Sequence, residues 1–395
     1  MKILMLTPYL PYPPNSGGQT RSYNLIKNLA SKHEITLFSL IKDDREADNL
    51  GELTKYCEVK VFKRSKTPWT FKNVIHTGFS LYPFLVIRNL VTEEKLAIEE
   101  ELAGKKYDLI HAETFYVMPH IPKSTTPILL VEQTIEYLVY KHYVEDQAPL
   151  LAKPLFTVDV AKLRYWETFF WQKANGVVAM SESDKREMQK LVPGLKIDIV
   201  PNGIDPDHFS LKDRASREPR VLYVGNFKWL QNAEAVEVLV HKVWPKIKSR
   251  VPRAKLWIVG KDITEKIKSY QSTDIEITEG LPDIRDAYSN ATVLVAPIEG
   301  PGGTRLKILE AMASGLPVVT TDVGAEGLGV KHGQHALVTN KWSEMAETAI
   351  SVIQNEKRSY EMGQEARNFV KKHYAWEVSA SLLDKIYRRV VNEKK

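Results

Sequence analysis

A single cysteine, Cys57, stands among 395 residues, so no disulfide can close within the chain and a cysteine-built zinc site is excluded. A reducing compartment suits such a chain. No stretch approaches the roughly 18 consecutive apolar residues that a membrane span requires. At the start, Lys2 precedes only a short apolar run, and Pro8, Pro11, Pro13 and Pro14 follow at once, which is unlike a signal peptide. A cytoplasmic protein is expected, working in solution or at the inner face of a membrane. Charge of one sign is scarce in excess: 55 basic against 49 acidic side chains leave a net +6, too little to argue for nucleic acid. No G-x-G-x-x-G follows the first strand of either half, which disfavours a dinucleotide-dependent dehydrogenase. No Asp-x-Asp sits at a strand end and the histidines lack ligand spacing, so neither a metal nor a cofactor is expected.

Composition is otherwise that of a globular protein, 43% hydrophobic and 26% charged, and the length suits two domains of roughly 180 residues each. Short β-rich runs at Ile3–Leu6, Ile35–Leu40, Val59–Phe62, Leu109–His111, Ile128–Val131 and Val177–Met180 alternate with helical spacing, as at Thr20–Ala30 and Glu93–Ala103. The scheme repeats with Val221–Val224, Leu256–Val259, Ile275–Thr278, Val293–Ala296 and Val318–Thr320. Such alternation predicts an α/β protein with parallel sheets covered on both faces. Turn chemistry at Pro201-Asn202-Gly203-Ile204-Asp205 marks the seam, and residues 212–220 read as a linker. The expected domains are therefore 1–203 and 204–374, with a closing helix in 375–395.

Two loops at strand carboxyl ends stand out, since open parallel sheets bind ligands there. After the first strand come Thr7-Pro8-Tyr9 and then Asn15-Ser16-Gly17-Gly18-Gln19-Thr20-Arg21. Paired glycines before a helix let backbone N–H groups approach an anion, with Arg21 a candidate partner, although a plain strand-to-helix turn reads the same way. The second loop runs Pro297-Ile298-Glu299-Gly300-Pro301-Gly302-Gly303-Thr304-Arg305-Leu306-Lys307-Ile308-Leu309-Glu310. Helical spacing puts Gly303, Lys307 and Glu310 on one face. Arg305 and Lys307 then suit a diphosphate and Glu310 a ribose hydroxyl pair. The plainer alternative, two solvated cations at a helix start, opposes the helix macrodipole.

These loops, together with Asp108-Leu109-Ile110-His111, Ala179-Met180-Ser181-Glu182-Ser183, Val200-Pro201-Asn202-Gly203-Ile204-Asp205, Tyr223-Val224-Gly225 and Gly315-Leu316-Pro317-Val318-Val319, resemble the family 4 retaining glycosyltransferases of the GT-B fold. The branch concerned is the one whose loop reads Gly-Gly-Thr-Arg-Leu-Lys. The resemblance implies two facing Rossmann-like domains and a C-terminal helix that crosses back to the first. It also implies a UDP- or GDP-linked sugar donor held mainly by the second domain, a saccharide or lipid-linked acceptor held mainly by the first, and no required metal. The activity implied is sugar transfer with retention, in cell-surface polysaccharide or glycolipid synthesis; a non-catalytic nucleotide-sugar-binding subunit is the alternative.

Two departures from the family pattern shape the site. The family's paired glutamates appear as Gly302 and Glu310, leaving Glu299 as a substitute for the first. After Gly225 the chain reads Asn226-Phe227-Lys228-Trp229-Leu230-Gln231-Asn232, without the family's arginine, so phosphate binding is expected to move to Arg305 and Lys307. By resemblance the donor side also takes in Gly17, Gly18, Arg21, Gly225, Asn226, Lys228, Leu281, Thr304 and Leu306. His111 and Glu113 lie near the family's catalytic histidine position. Glu132 and Glu136 end the next strand and are acceptor-side candidates, or else helix caps and surface ion pairs. Finally, residues 59–92 carry basic and aromatic side chains and no acid. This segment reads either as a surface for anionic lipid or as core helices with a solvated basic edge.

Overall fold

The computed structural model describes residues 1–67, 70–146, 148–209, 218–300 and 306–394. They form two compact units, one comprising Met1–Asn202 with Ser379–Lys395 and the other the described residues from Gly203 to Val378. Sequence reading had set the divisions one residue later at the seam and four residues earlier before the closing helix.

The first unit is built on a seven-stranded parallel sheet in the order β3-β2-β1-β4-β5-β6-β7. Its strands are β1 (Lys2–Thr7), β2 (Glu34–Ile41), β3 (Glu58–Lys63), β4 (Leu109–Glu113), β5 (Ile128–Val131), β6 (Gly176–Ala179) and β7 (Ile197–Ile199). Apart from Lys2, every residue of β1 is buried, and β4 is buried along its full length, as expected of central strands with helices on both faces. The second unit has a six-stranded parallel sheet ordered β10-β9-β8-β11-β12-β13. Here the strands are β8 (Arg220–Asn226), β9 (Lys255–Lys261), β10 (Ile275–Glu279), β11 (Val293–Ala296), β12 (Val318–Thr320) and β13 (Leu337–Val338).

In each sheet the strand order reverses beside the first strand, between β1 and β4 and between β8 and β11. Connections leave such a point toward opposite faces, opening a crevice at the carboxyl ends. The loops singled out from the sequence fall at these two points. In the second unit the close approach depends on glycine: a Cβ on Gly260 would lie 1.9 Å from the Gly225 carbonyl oxygen, its register partner on β8.

The closing helix, Trp376–Lys394, belongs to the first unit from Ser379 onward. Ser379 Oγ donates to the Pro201 carbonyl at 2.9 Å, and Asp384 lies 3.0 Å from His33. The basic segment 59–92 divides in character. Phe84, Leu85 and Val86 are core, whereas Phe71, Phe79 and Leu81 are exposed. No described helix is long and apolar enough to cross a membrane.

Candidate functional site

In the first unit, the carboxyl ends of β1, β4 and β5 carry a buried polar network. His111 Nε2 donates to Glu113 Oε2 at 2.7 Å, and its Nδ1 sits 2.5 Å from the Tyr387 hydroxyl of the closing helix. Gln133 Nε2 donates to Glu113 Oε1 at 2.6 Å and lies 2.5 Å from the Tyr9 hydroxyl. Arg21 Nε is 3.7 Å from Glu113 Oε1, and Arg21 Nη1 donates to the Pro201 carbonyl and Asn202 Oδ1, both at 3.1 Å. Burial pushes the Glu113 carboxyl up, but the His111 hydrogen bond and the charges of His111 and Arg21 outweigh it and hold it below its ordinary value. Burial lowers the Arg21 guanidinium, with Glu113 opposing.

Arg21, His111 and Glu113 are each 0% exposed. Arg21 turns its Nη1 onto the chain 180 residues away, while its Nε and Nη2 are buried without a hydrogen-bond partner. Both ring nitrogens of His111 are engaged, and Glu113 is closed off by Gln133 and Arg21. Gly17 and Gly18 open the Gly17–Leu29 helix, capped by Ser16. A Cβ on Gly18 would lie 2.5 Å from Gln133 Oε1 and 2.7 Å from the Tyr9 hydroxyl, so glycine admits the network's outer edge to the helix start.

Glu132 is also buried. Its Oε1 accepts from Trp171 Nε1 at 2.9 Å, while Glu167 caps the Glu136–Asp146 helix by accepting from the backbone N–H groups of Glu136 (2.7 Å) and Tyr137 (3.1 Å). Burial first, then the Glu167 charge, raises Glu132 well above the ordinary carboxyl range, and burial with the Glu136 charge does the same to Glu167. Glu132 is thus a buried carboxyl whose Oε2 has no hydrogen-bond partner. Glu136 is half-buried, and burial raises it to about 7 against the nearby charge of Arg88.

In the second unit, the switch point between β8 and β11 gathers a polar cluster from three elements. Lys307, on the Leu306–Ala313 helix, reaches back to β8. Its Nζ donates to Asn232 Oδ1 at 2.6 Å and to the Tyr223 hydroxyl at 3.0 Å, and it lies 4.4 Å from the Tyr223 ring centroid. Asn232 Nδ2 in turn donates to the Asn226 carbonyl at 2.7 Å, and the Tyr223 hydroxyl donates to Asn232 Oδ1. One helical turn beyond Lys307, Glu310 Oε2 accepts from the Tyr288 hydroxyl at 2.6 Å. Burial raises the Glu310 carboxyl, with Tyr288 and Lys307 opposing.

Sequence-derived donor residues Gly225, Asn226, Lys307 and Glu310 therefore come together. Glu299 is exposed just past β11, and Lys228 is exposed after β8, with its backbone N–H on Asn226 Oδ1. Leu281 packs partly buried against the second core, and Leu306 is half-buried. Gly302, Gly303, Thr304 and Arg305 lie outside the described residues. Tyr223, Asn232 and Tyr288 were missed; Asn232 adjoins Gln231, where the family's lysine was sought and not found. Among the described residues no group of three His, Cys, Asp or Glu side chains is placed to hold a metal.

Two family models match in tandem: Glycosyltransferase Family 4 over residues 15–208 and Glycosyl transferases group 1 over residues 218–355. A 44.6 kDa protein in the cps region of Klebsiella pneumoniae is 24% identical over 94% of this chain and 96% of its own length. Among solved structures, sucrose-phosphate synthase from Thermosynechococcus elongatus superposes with a TM-score of 0.75 at 17% identity, covering 100% of both chains. Anabaena HepE in complex with UDP gives 0.66 at 15% identity, covering 98% of this chain and 100% of that one. The two parallel-sheet units are those of the GT-B fold.

Proposed function

We propose that this chain, which belongs to the family 4, group 1 glycosyltransferases, transfers a sugar with retention from a nucleotide diphosphate donor to a saccharide or lipid-linked acceptor. That it is a glycosyltransferase follows from the family; the donor, the stereochemistry and the acceptor are our reading. The observation that carries it is the Lys307 ammonium fixed by Asn232 and Tyr223 at the carboxyl-end switch point of the second sheet. As the bond from sugar C1 to the β-phosphate oxygen breaks, negative charge collects on the departing diphosphate. A cation already held in place stabilises that charge without reorganising at the moment of reaction.

The new bond from the acceptor oxygen forms on the face the leaving group vacates, and the acceptor's proton passes to a phosphate oxygen. No protein base is needed, which accords with the inward-turned His111 and Glu113. Glu310 lies one turn further along the same helix, placed to accept from a ribose hydroxyl pair. Support for a UDP donor comes from the HepE complex, and for polysaccharide synthesis from the cps location of the Klebsiella relative.

The test is incubation with a panel of UDP- and GDP-linked sugars, with and without saccharide acceptors, monitoring free nucleoside diphosphate. Release from one donor, with the product's anomeric configuration kept, supports the reading. Binding of nucleotide sugars without any release overturns it in favour of a non-catalytic binder.

A further inference from the structure

Arg64 and Arg88 of the first unit are both half-buried, and neither has a carboxylate partner within ion-pair distance among the described residues. Arg64 follows β3, at the carboxyl edge of the sheet, with its backbone N–H on the Ile41 carbonyl that ends β2. Its Nη1 donates to Asn89 Oδ1 at 2.6 Å, which brings the guanidinium against the residue next to Arg88. Asn89 is itself buried and locked by its Nδ2 on the Leu85 carbonyl at 2.7 Å. Arg88 closes the Phe84–Ile87 helix, and the Nε atoms of both arginines are buried with no hydrogen-bond partner.

Arg88 hydrogen-bonds the Tyr140 side chain, and burial with the neighbouring Arg88 charge lowers Arg64 to about 10. The acids facing them are Glu136 toward Arg88 and, more remotely, Glu46 toward Arg64. Neither forms an ion pair with them. Elsewhere in this unit the buried arginine, Arg21, does have its carboxylate. An arrangement of this kind is stabilised by an anion from outside, and the planar fork of arginine fits phosphate oxygens two at a time.

We propose that Arg64 and Arg88 form a phosphate-binding site that takes the phosphate or diphosphate group of the acceptor substrate. This deepens the glycosyltransferase reading and rests on it for the word acceptor. The half-buried Glu136, whose carboxyl faces Arg88, borders the site. The phosphate has two sources. It belongs either to a lipid headgroup or to a soluble sugar phosphate, and the chain between the two arginines bears on the choice: Phe71 is 83% exposed and Phe79 92% exposed. A lipid would use these side chains, whereas a soluble phosphate would leave them idle.

Inorganic pyrophosphate binding to the full chain, followed by calorimetry, tests the site in wild type, Arg64→Ala, Arg88→Ala, Arg88→Lys and Glu136→Gln. Each variant is made in a Lys307→Ala background and compared with Lys307→Ala alone, so that the donor's own phosphate contact does not contribute. The alanine variants are expected to bind about 10- to 100-fold more weakly. Arg88→Lys, which keeps the charge and loses the fork, should fall between, and Glu136→Gln should bind more tightly than its parent. Unchanged affinity in folded alanine variants overturns the site. If an alanine variant fails to fold, an unaltered affinity in both Arg88→Lys and Glu136→Gln overturns it equally. Flotation with phosphatidylcholine vesicles, with and without phosphatidic acid, separates the sources. Arginine-dependent capture by phosphatidic acid assigns a lipid headgroup, and pyrophosphate binding without capture assigns a soluble phosphate. A wild-type protein that releases no diphosphate from any nucleotide sugar, yet binds pyrophosphate through Arg64 and Arg88, would sink the proposed function and leave this site standing.

Discussion

Lys307 and Asn232 meet at 2.6 Å across the carboxyl end of the second sheet, a helix cation held by an amide oxygen from the element that follows β8. The pairing leaves a positive charge positioned rather than swinging. Lys307→Ala is therefore expected to lower kcat/KM for the nucleotide sugar by about 10- to 150-fold, the worth of one charge-assisted phosphate contact. Asn232→Ala keeps the charge and removes one of its two holders, so its loss should be smaller and should appear mainly in kcat. Wild-type turnover in Lys307→Ala would remove the basis of the donor pose.

Arg21 and Glu113 make a different case, because both are shut inside the first unit. Arg21→Met leaves the Pro201 carbonyl without one donor and Glu113 without its nearest guanidinium. Breaking a buried pair from one side costs about 3–5 kcal/mol. Urea unfolding of the variant should show a loss of that order. A variant as stable as wild type but inactive would instead put Arg21 on the substrate.

Glu94 gives a pH signature. It is buried, burial raises its carboxyl to about 8 from 4.5, and its Oε2 lies 3.2 Å from His120 Nε2. A carboxyl raised in the folded state contributes stability that is fully present below the unfolded value and is lost as pH rises through the folded one. Its share therefore fades between pH 4.5 and about 8. His120, lowered by burial to about 4 from 6.5, acts in the opposite direction: its share is present above pH 6.5 and lost as pH falls through about 4. Thermal melts of Glu94→Gln against wild type should show the gap between them change across pH 5–8. Parallel curves would mean that Glu94 ionises normally.

Glu310 is expected to anchor the nucleotide ribose. With Oε2 taken by Tyr288, the other oxygen is left to bridge a hydroxyl pair. Wild type should prefer ribo- over 2′-deoxyribonucleoside diphosphates, and Glu310→Ala should lose most of that preference. Retention of the full preference in titration calorimetry would place the ribose elsewhere.

Metal independence is the remaining expectation. Donor turnover should survive a chelator if the Lys307 ammonium meets the diphosphate as proposed. Loss of turnover on chelation, restored by Mn²⁺ or Mg²⁺, would contradict it.

Much of the scaffold was legible because buried parallel strands write themselves as short apolar runs. Ile128–Val131, Val293–Ala296 and Val318–Thr320 agree to the residue. Two of the edge strands did not: Ile197-Asp198-Ile199 is three residues long with a charge in the middle, and Leu337–Val338 is two, too short for any period to register. At the candidate site, the glycine-rich turns marked the right strand ends, but side-chain direction was hidden. Arg21 sits one turn after paired glycines, as a phosphate ligand would, yet its partners are Pro201 and Asn202, and no local pattern reveals a partner so distant. The same holds for Asn232, whose role depends on a lysine 75 residues later.

The carboxyls of Glu132 and Glu167, both pushed far above their ordinary range in the interior beside Trp171, make hydrogen ions part of the folding stoichiometry. Between its unfolded and its raised folded value, such a carboxyl binds more protons in the folded chain than in the unfolded one. Refolding must then draw protons from its surroundings. In a calorimeter the measured heat of folding would vary with the ionisation enthalpy of the buffer, and the slope of that dependence would count the protons taken in.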